Sequence, residues 1–194
     1  MLRLRLFLIL VSTAVLQAEA QPLSYVFQTV STANGLSSGG IIAIGQDKYG
    51  YLWMGTANGL NRFDGYKVSV FEHMYGDSTS VLPSIVRNIY SDSEGRLWIS
   101  FMHGLMEYDF SKNRFISYGS GRIFLAGAVV ETAPGCLHIG TSQGLVKLNT
   151  RTGEMSLYSE QPNASGLLSA RIQDMTWYHE ELYLLTKDGL VVYN

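Results

Sequence analysis

The stretch GYLWMGTANGLNRFD, Gly50 to Asp64, decides the architecture because the chain writes it again three times. It returns as GRLWISFMHGLMEYD (Gly95 to Asp109), GCLHIGTSQGLVKLN (Gly135 to Asn149) and ELYLLTKDGLVVYN (Glu181 to Asn194). Aligned on Leu52, Leu97, Leu137 and Leu182, the copies lie 45, 40 and 45 residues apart, and a Gly-Leu pair recurs at Gly59, Gly104, Gly144 and Gly189. A repeat of this length built from short strands reads as propeller blades. One such unit cannot bury both faces alone, so function is to be sought in the array rather than in an assumed single pocket.

Each repeat parses into four strands. The first is apolar: Ile41 to Ile44, Val86 to Tyr90, Ala126 to Val130 and Ile172 to Met175. A turn follows, Asp47-Lys48-Tyr49-Gly50 and Asp92-Ser93-Glu94-Gly95, with Asp first and Gly fourth as a type I turn prefers. The second strand carries Leu52-Trp53, Leu97-Trp98, Leu137-His138 and Leu182-Tyr183. Adjacent strand residues point to opposite faces, so a large residue at both positions requires both faces to be covered, as in sheets stacked radially. The third strand runs Leu60 to Phe63, Leu105 to Tyr108, Leu145 to Leu148 and Leu190 to Tyr193, and the outer strand is Lys67 to Phe71, Arg114 to Tyr118 and Met155 to Tyr158.

The expected fold is therefore all-β: a β-propeller of about four blades of four antiparallel strands, partial or open, the last blade lacking its outer strand. An apolar segment at Ser24 to Thr29 reads as a spare strand that either closes the ring onto the fourth blade or awaits another blade. The repeats fall at about 35–73, 81–120, 123–160 and 166–194 within a body of residues 21–194. Residues 1–20 read as a signal peptide, with Arg3 and Arg5 at the start, an apolar stretch from Leu6 to Leu16 and Ala18-Glu19-Ala20 at the cleavage site. That stretch is too short to span a bilayer roughly 30 Å thick, and no later membrane segment is expected.

The formal net charge of −2, falling to −3 once Arg3, Arg5 and Glu19 are removed, leaves no electrostatic footprint for nucleic acid. Cys136 is the one cysteine, so no disulfide staples the fold, and it is expected to be a buried inert thiol. Stability must come from packed apolar surface.

The run from Gly35 to Phe71 resembles the opening repeat of the two-component regulator propellers. The likeness lies in the D-x-x-G-x-L-W-x-G-T-x-x-G-L-x-R-x-D signature matched from Asp47 to Asp64. Later copies drift, with His138 and Tyr183 at the Trp position and Thr132 at the turn Asp. The resemblance implies the N-terminal part of the periplasmic sensor region of a hybrid two-component sensor histidine kinase of the Bacteroidetes. In the full-length family that region is anchored in the inner membrane, works as a homodimer and responds to oligosaccharides to regulate polysaccharide utilisation. The chain stops in its fourth repeat and shows no kinase or receiver motif, so a truncated gene, rather than a complete small receptor, is the expectation.

No catalytic, cofactor-binding or metal-ligating residue is assigned. Trp53 and Trp98 recur at one offset inside a strand, which is how packing repeats and a ligand site does not. Asp47 and Asp92 are turn residues. His73, His103, His138 and His179 have no ligand spacing, no Gly-x-Ser-x-Gly elbow is present, and the acidic residues fall mostly in turns and loops rather than as a pair flanking a bond. Asn163-Ala164-Ser165, a formal glycosylation sequon, marks a surface loop. A ligand is expected on the variable connections Glu72 to Pro83, Gly119 to Leu125 and Gln161 to Arg171, where Tyr75, Asp77, Arg122 and Asn163 are available to a sugar. The competing functions are a secreted propeller lyase or hydrolase acting on polysaccharide, and a protein-interaction propeller.

Overall fold

The computed structural model describes residues 26–119, 127–158 and 171–193. Its strands form four separate antiparallel sheets, each with its strands in chain order. Blade 1 holds β1 (Ile41–Gln46), β2 (Leu52–Thr56), β3 (Gly59–Phe63) and β4 (Val68–Phe71). Blade 2 holds β5 (Val86–Ser91), β6 (Leu97–Phe101), β7 (Gly104–Asp109) and β8 (Arg114–Tyr118). Blade 3 holds β9 (Val129–Ala133), β10 (Cys136–Thr141), β11 (Gly144–Asn149) and β12 (Met155–Leu157). Blade 4 has three strands, β13 (Ile172–Tyr178), β14 (Glu181–Thr186) and β15 (Gly189–Tyr193). First strands of neighbouring blades approach one another, β1 with β5, β5 with β9 and β9 with β13, so the sheets radiate from the first strands. This is an open propeller.

The Leu-Trp step explains the stacking. Leu97, Leu137 and Leu182 are fully buried against the preceding blade, while Trp53 and Trp98 are fully buried against the following one. Three apolar clusters result, one per interface. The first joins Trp53 and Leu60 to Leu97, Ile99 and Phe101; the second joins Trp98 and Leu105 to Leu137 and Ile139; the third joins Leu145 to Leu182 and Leu184. Close approach is set by small residues on β2 and β10. A Cβ on Gly55 would stand 2.2 Å from Val86 Cγ1, and one on Gly140 would stand 2.7 Å from Ile172 Cγ2. The outward faces at the two ends of the arc stay partly bare, with Leu52, Ile42 and Ile44 exposed on blade 1 and Leu185, Leu190 and Val192 on blade 4.

The turns follow from side-chain hydrogen bonding. Thr56, Thr141 and Thr186 each accept from the N–H two residues on (Asn58, Gln143, Asp188) and donate to the carbonyl of the following glycine, so one hydroxyl closes each hairpin. Those glycines have φ between 121° and 136°, where a Cβ is strained. Ahead of blade 1, a single 3-10 turn (Thr32–Asn34) capped by Ser31 ends at Gly35, φ 99°, and delivers Leu36 into the core. Ser37 then donates its N–H to Asn61 Oδ1 at 2.8 Å and receives Asn61 Nδ2 at its hydroxyl, which ties this lead-in to β3.

Three expectations need correction. The Ser24 to Thr29 segment is no strand over its described part: residues 26–29 pair with no sheet, and Val26 and Phe27 are 90% and 93% exposed. Over these residues it neither latches blade 4 nor adds a strand to it. The inner strand of blade 3 begins at Val129, because Gly127 and Ala128 both bond to Gly140 and leave the ladder irregular there. Cys136 is half-buried rather than buried, its Sγ facing the Thr132 hydroxyl at 3.8 Å. The signal peptide at residues 1–20 lies outside the described residues.

Blade 4 also tightens its first hairpin. Tyr178 pairs with Glu181 across only His179 and Glu180, at φ 50° and 63°. Two left-handed central residues make a type I′ turn, which favours Asn-Gly. Left-handed geometry costs a side chain roughly 1–2 kcal/mol, partly offset by the extra freedom glycine gives the unfolded chain. Glu180→Gly is expected to stabilise the chain by about 0.5–1 kcal/mol, seen as a higher urea midpoint; a lower midpoint contradicts the turn assignment.

Candidate functional site

Antiparallel order places each blade's connections at one of two ends. The start of the first strand, the turn between the second and third strands and the end of the fourth strand share one end, so every blade-to-blade connection emerges on one face of the arc. The contacts agree. The Met102 N–H donates to the Ile85 carbonyl at 2.9 Å, and Ser84 Oγ lies 3.1 Å from His103 Nδ1. The opposite face carries the Asp-x-x-Gly turns, and their carboxylates are consumed by structure. Asp47 Oδ1 accepts from the N–H groups of Tyr49 and Tyr51, and Oδ2 accepts from Trp53 Nε1 at 2.7 Å. Asp92 repeats this with Glu94, Arg96 and Trp98 Nε1, and adds Arg96 Nε at 2.7 Å. Sequence reading assigned Asp and Trp to separate jobs, and the structure makes them one unit.

In blade 3 the unit changes chemistry but keeps its geometry. Thr132 Oγ1 lies 3.2 Å from His138 Nδ1, and His138 Nε2 lies 2.9 Å from the Tyr158 hydroxyl. Burial, reinforced by Lys147 opposite it on β11, pushes the imidazole down to about 4. A neutral ring needs one donor and one acceptor partner, and the two hydroxyls supply either. His138 is therefore a packing residue with satisfied nitrogens. His73 is likewise held, its Nδ1 2.9 Å from the Val81 carbonyl, and His179 sits in the blade 4 turn.

On the connecting-loop face, two of the four predicted ligand residues, Tyr75 and Asp77, are described. Tyr75 is 97% exposed and rests edge-on against His73. Asp77 accepts from the Thr79 hydroxyl and N–H, which hold its carboxyl below the usual range, so it shapes its own loop. Arg122 and Asn163, with the 120–126 and 159–170 segments, lie outside the described residues. What the face does gather is a cavity of about 240 Å³ between blades 2, 3 and 4, lined by Arg87, Met102, Gly127, Arg171, Ile172 and Gln173. Arg87 and Gln173 occupy equivalent places, each the residue skipped where the inner strand bulges against its neighbour (Val86 and Asn88 pair with Phe101 and Ser100; Ile172 and Asp174 with Thr186 and Leu185). A bulge re-aims the side chain it carries. Gly127 holds the same position in blade 3, where its carbonyl accepts from Ser100 Oγ at 2.8 Å. Sequence reading missed these residues because it looked to the loops and not to the first residues of the inner strands.

Residues 35–58, from the Gly35 cap to the Thr56 hairpin, match the family model of the two component regulator propeller. The chain carries a two-component regulator propeller repeat. That regulator-propeller segment opens a wider likeness: the chain is 41% identical over 73 residues to histidine kinase P4 of Formosa agariphila, an alignment covering 38% of this chain and 5% of that protein. In three dimensions the chain superposes on the extracellular domain of a putative hybrid two component system of B. thetaiotaomicron. The TM-score is 0.68 at 20% identity, over 90% of this chain and 23% of the other. A streptogramin B lyase follows the same blade geometry, with a TM-score of 0.53 at 19% identity over 82% of this chain and 56% of the lyase. At these identities the two structures show the shared propeller fold. The chain spans a twentieth of the kinase and about a quarter of the extracellular domain.

Proposed function

We propose that this chain is the ligand-sensing propeller region of a two-component sensor, exported to the periplasm, that binds an oligosaccharide and does not turn it over. The observation that carries the reading is the coincidence of a two-component regulator propeller repeat at residues 35–58 with 41% identity to a histidine kinase. The geometry supports a binding role. The Asp, Trp and His residues at the repeated positions are consumed by packing, and Arg87, Arg171 and Gln173 line one cavity on the connecting-loop face. In the longer sensor, binding at this face would alter how two copies are arranged, and polysaccharide-utilisation genes would respond.

The test is calorimetric titration of the purified chain with a panel of neutral and acidic oligosaccharides, with chromatography of the same mixtures. Saturable binding with no new reducing ends or unsaturated products is expected. Turnover of a bound saccharide, or capture of none of the panel, overturns the sensor reading.

A further inference from the structure

We infer that the cavity between Arg87 and Arg171 is an anion site, which receives the carboxylate or sulfate group of a charged sugar. This rests on the sensor reading and names the ligand class within it. The two arginines are 84 positions apart in a chain of net charge −2, yet the fold brings them to the wall of one cavity. Neither guanidinium has a hydrogen bond or ion pair among the described residues. Three other described arginines are occupied: Arg96 pairs with Asp92 and Glu94, Arg114 pairs with Asp109, and Arg62 lies over Tyr51, Trp53 and Phe71, while Arg151 lines no part of this cavity. Among the described lining residues none is a carboxylate. Two like charges with no partner among the described residues, beside one opening, favour an anion between them.

The placement is built into the strand. Arg87 sits in the β5 bulge, so its side chain leaves the ladder while Val86 and Asn88 on either side keep their pairs. Gly127, at the same position one blade on, contributes no side chain and leaves the space open; the Ser100 hydroxyl pins its carbonyl. A planar guanidinium presents paired N–H groups that fit a carboxylate or sulfate in a bidentate manner. Gln173 adds a donor and an acceptor suited to sugar hydroxyls. Met102 and Ile172 provide the apolar wall for a ring face. At about 240 Å³ the cavity is smaller than the roughly 300–1,000 Å³ of drug-sized pockets, and so suits one charged sugar unit rather than a long chain segment.

The experiment titrates the full chain, Arg87→Gln and Arg171→Gln with trigalacturonate, a chondroitin sulfate disaccharide, maltotriose and cellotriose. Thermal melts accompany each titration. At least one acidic probe is expected to bind, at least about tenfold tighter than either neutral probe, and to weaken as salt is raised. Each substitution should lower that affinity at least about tenfold with no change in melting temperature, since neither arginine has a partner to lose among the described residues. Failure of both acidic probes to bind overturns the anion site, as does acidic binding that both substitutions leave intact. If neutral probes bind instead, the anion site falls and the sensor reading stands. Cleavage of a bound acidic probe removes the sensor reading and leaves the site.

Discussion

Asp92→Ala is expected to destabilise the chain by about 3–5 kcal/mol, a large part of the roughly 5–15 kcal/mol that holds a typical domain together. The Asp92 side chain is fully buried and accepts from four donors: two backbone N–H groups, the Trp98 indole and the Arg96 guanidinium. Removing it strands the two backbone N–H groups and the indole and takes from Arg96 its buried partner, leaving it Glu94 and Thr150. Leaving a buried donor or charge without its partner costs more than the bond itself contributed. The damage would reach blade 3, because the same Arg96 donates to the hydroxyl and carbonyl of Thr150. Asp47→Ala is the internal comparison. Asp47 serves three donors and no arginine, so its loss should cost less, about 2–3 kcal/mol. Urea midpoints for the two variants decide the matter; equal costs, or an Asp92→Ala cost below about 1 kcal/mol, would remove the arginine from the account.

Acid should weaken the fold in a window set by His138. Its folded value of about 4 lies below the ordinary 6.5, so between these limits the unfolded chain binds the proton and the folded chain does not. Stability is full above pH 6.5 and falls as pH drops toward 4, by about 3 kcal/mol in total. Asp64, Asp77 and Asp109 are held below the ordinary carboxylate value of 3.8 by hydrogen bonds and act only in stronger acid. Denaturant midpoints at pH 7, 5.5 and 4.5 should therefore slope in the parent chain and flatten in His138→Gln. A slope of equal size in both would place the acid sensitivity elsewhere.

The blade period, the strand count per blade and the hairpin glycines were legible because each is a local signal: alternation, turn chemistry and a Leu-Trp step that demands two covered faces. The Asp–Trp pairing was less so. Its members are six residues apart across a hairpin, and only the fold shows the indole N–H seated on the carboxylate. Thr132 and His138 looked like drift from the motif, whereas they change together and keep one hydrogen bond in place. The apolar segment before residue 30 misled because Val26 and Phe27 look fit for a strand, and a strand exists only where an edge accepts it. Arg87 carried no signal and Arg171 stood only as the last residue of the Gln161 to Arg171 connection, since nothing in their spacing shows that two strand starts two blades apart share a wall. Aligning the equivalent residues at the start of each blade, Ile42, Arg87, Gly127 and Gln173, would have exposed the outliers.

The close approaches between blades also act as an address. Gly55 admits Val86, Ser100 holds the Gly127 carbonyl, and Gly140 admits Ile172, so each interface is cut to a different neighbour. The equivalent place in blade 4 is Leu185, a side chain where blades 1 and 3 have none. Repeat arrays with identical joints can slip by a whole unit or exchange units between chains. Here blade 4, set ahead of another blade, would bring a leucine into the joint where Gly55 or Gly140 leaves room. The blades look alike in sequence, but their seating order is written into these small residues.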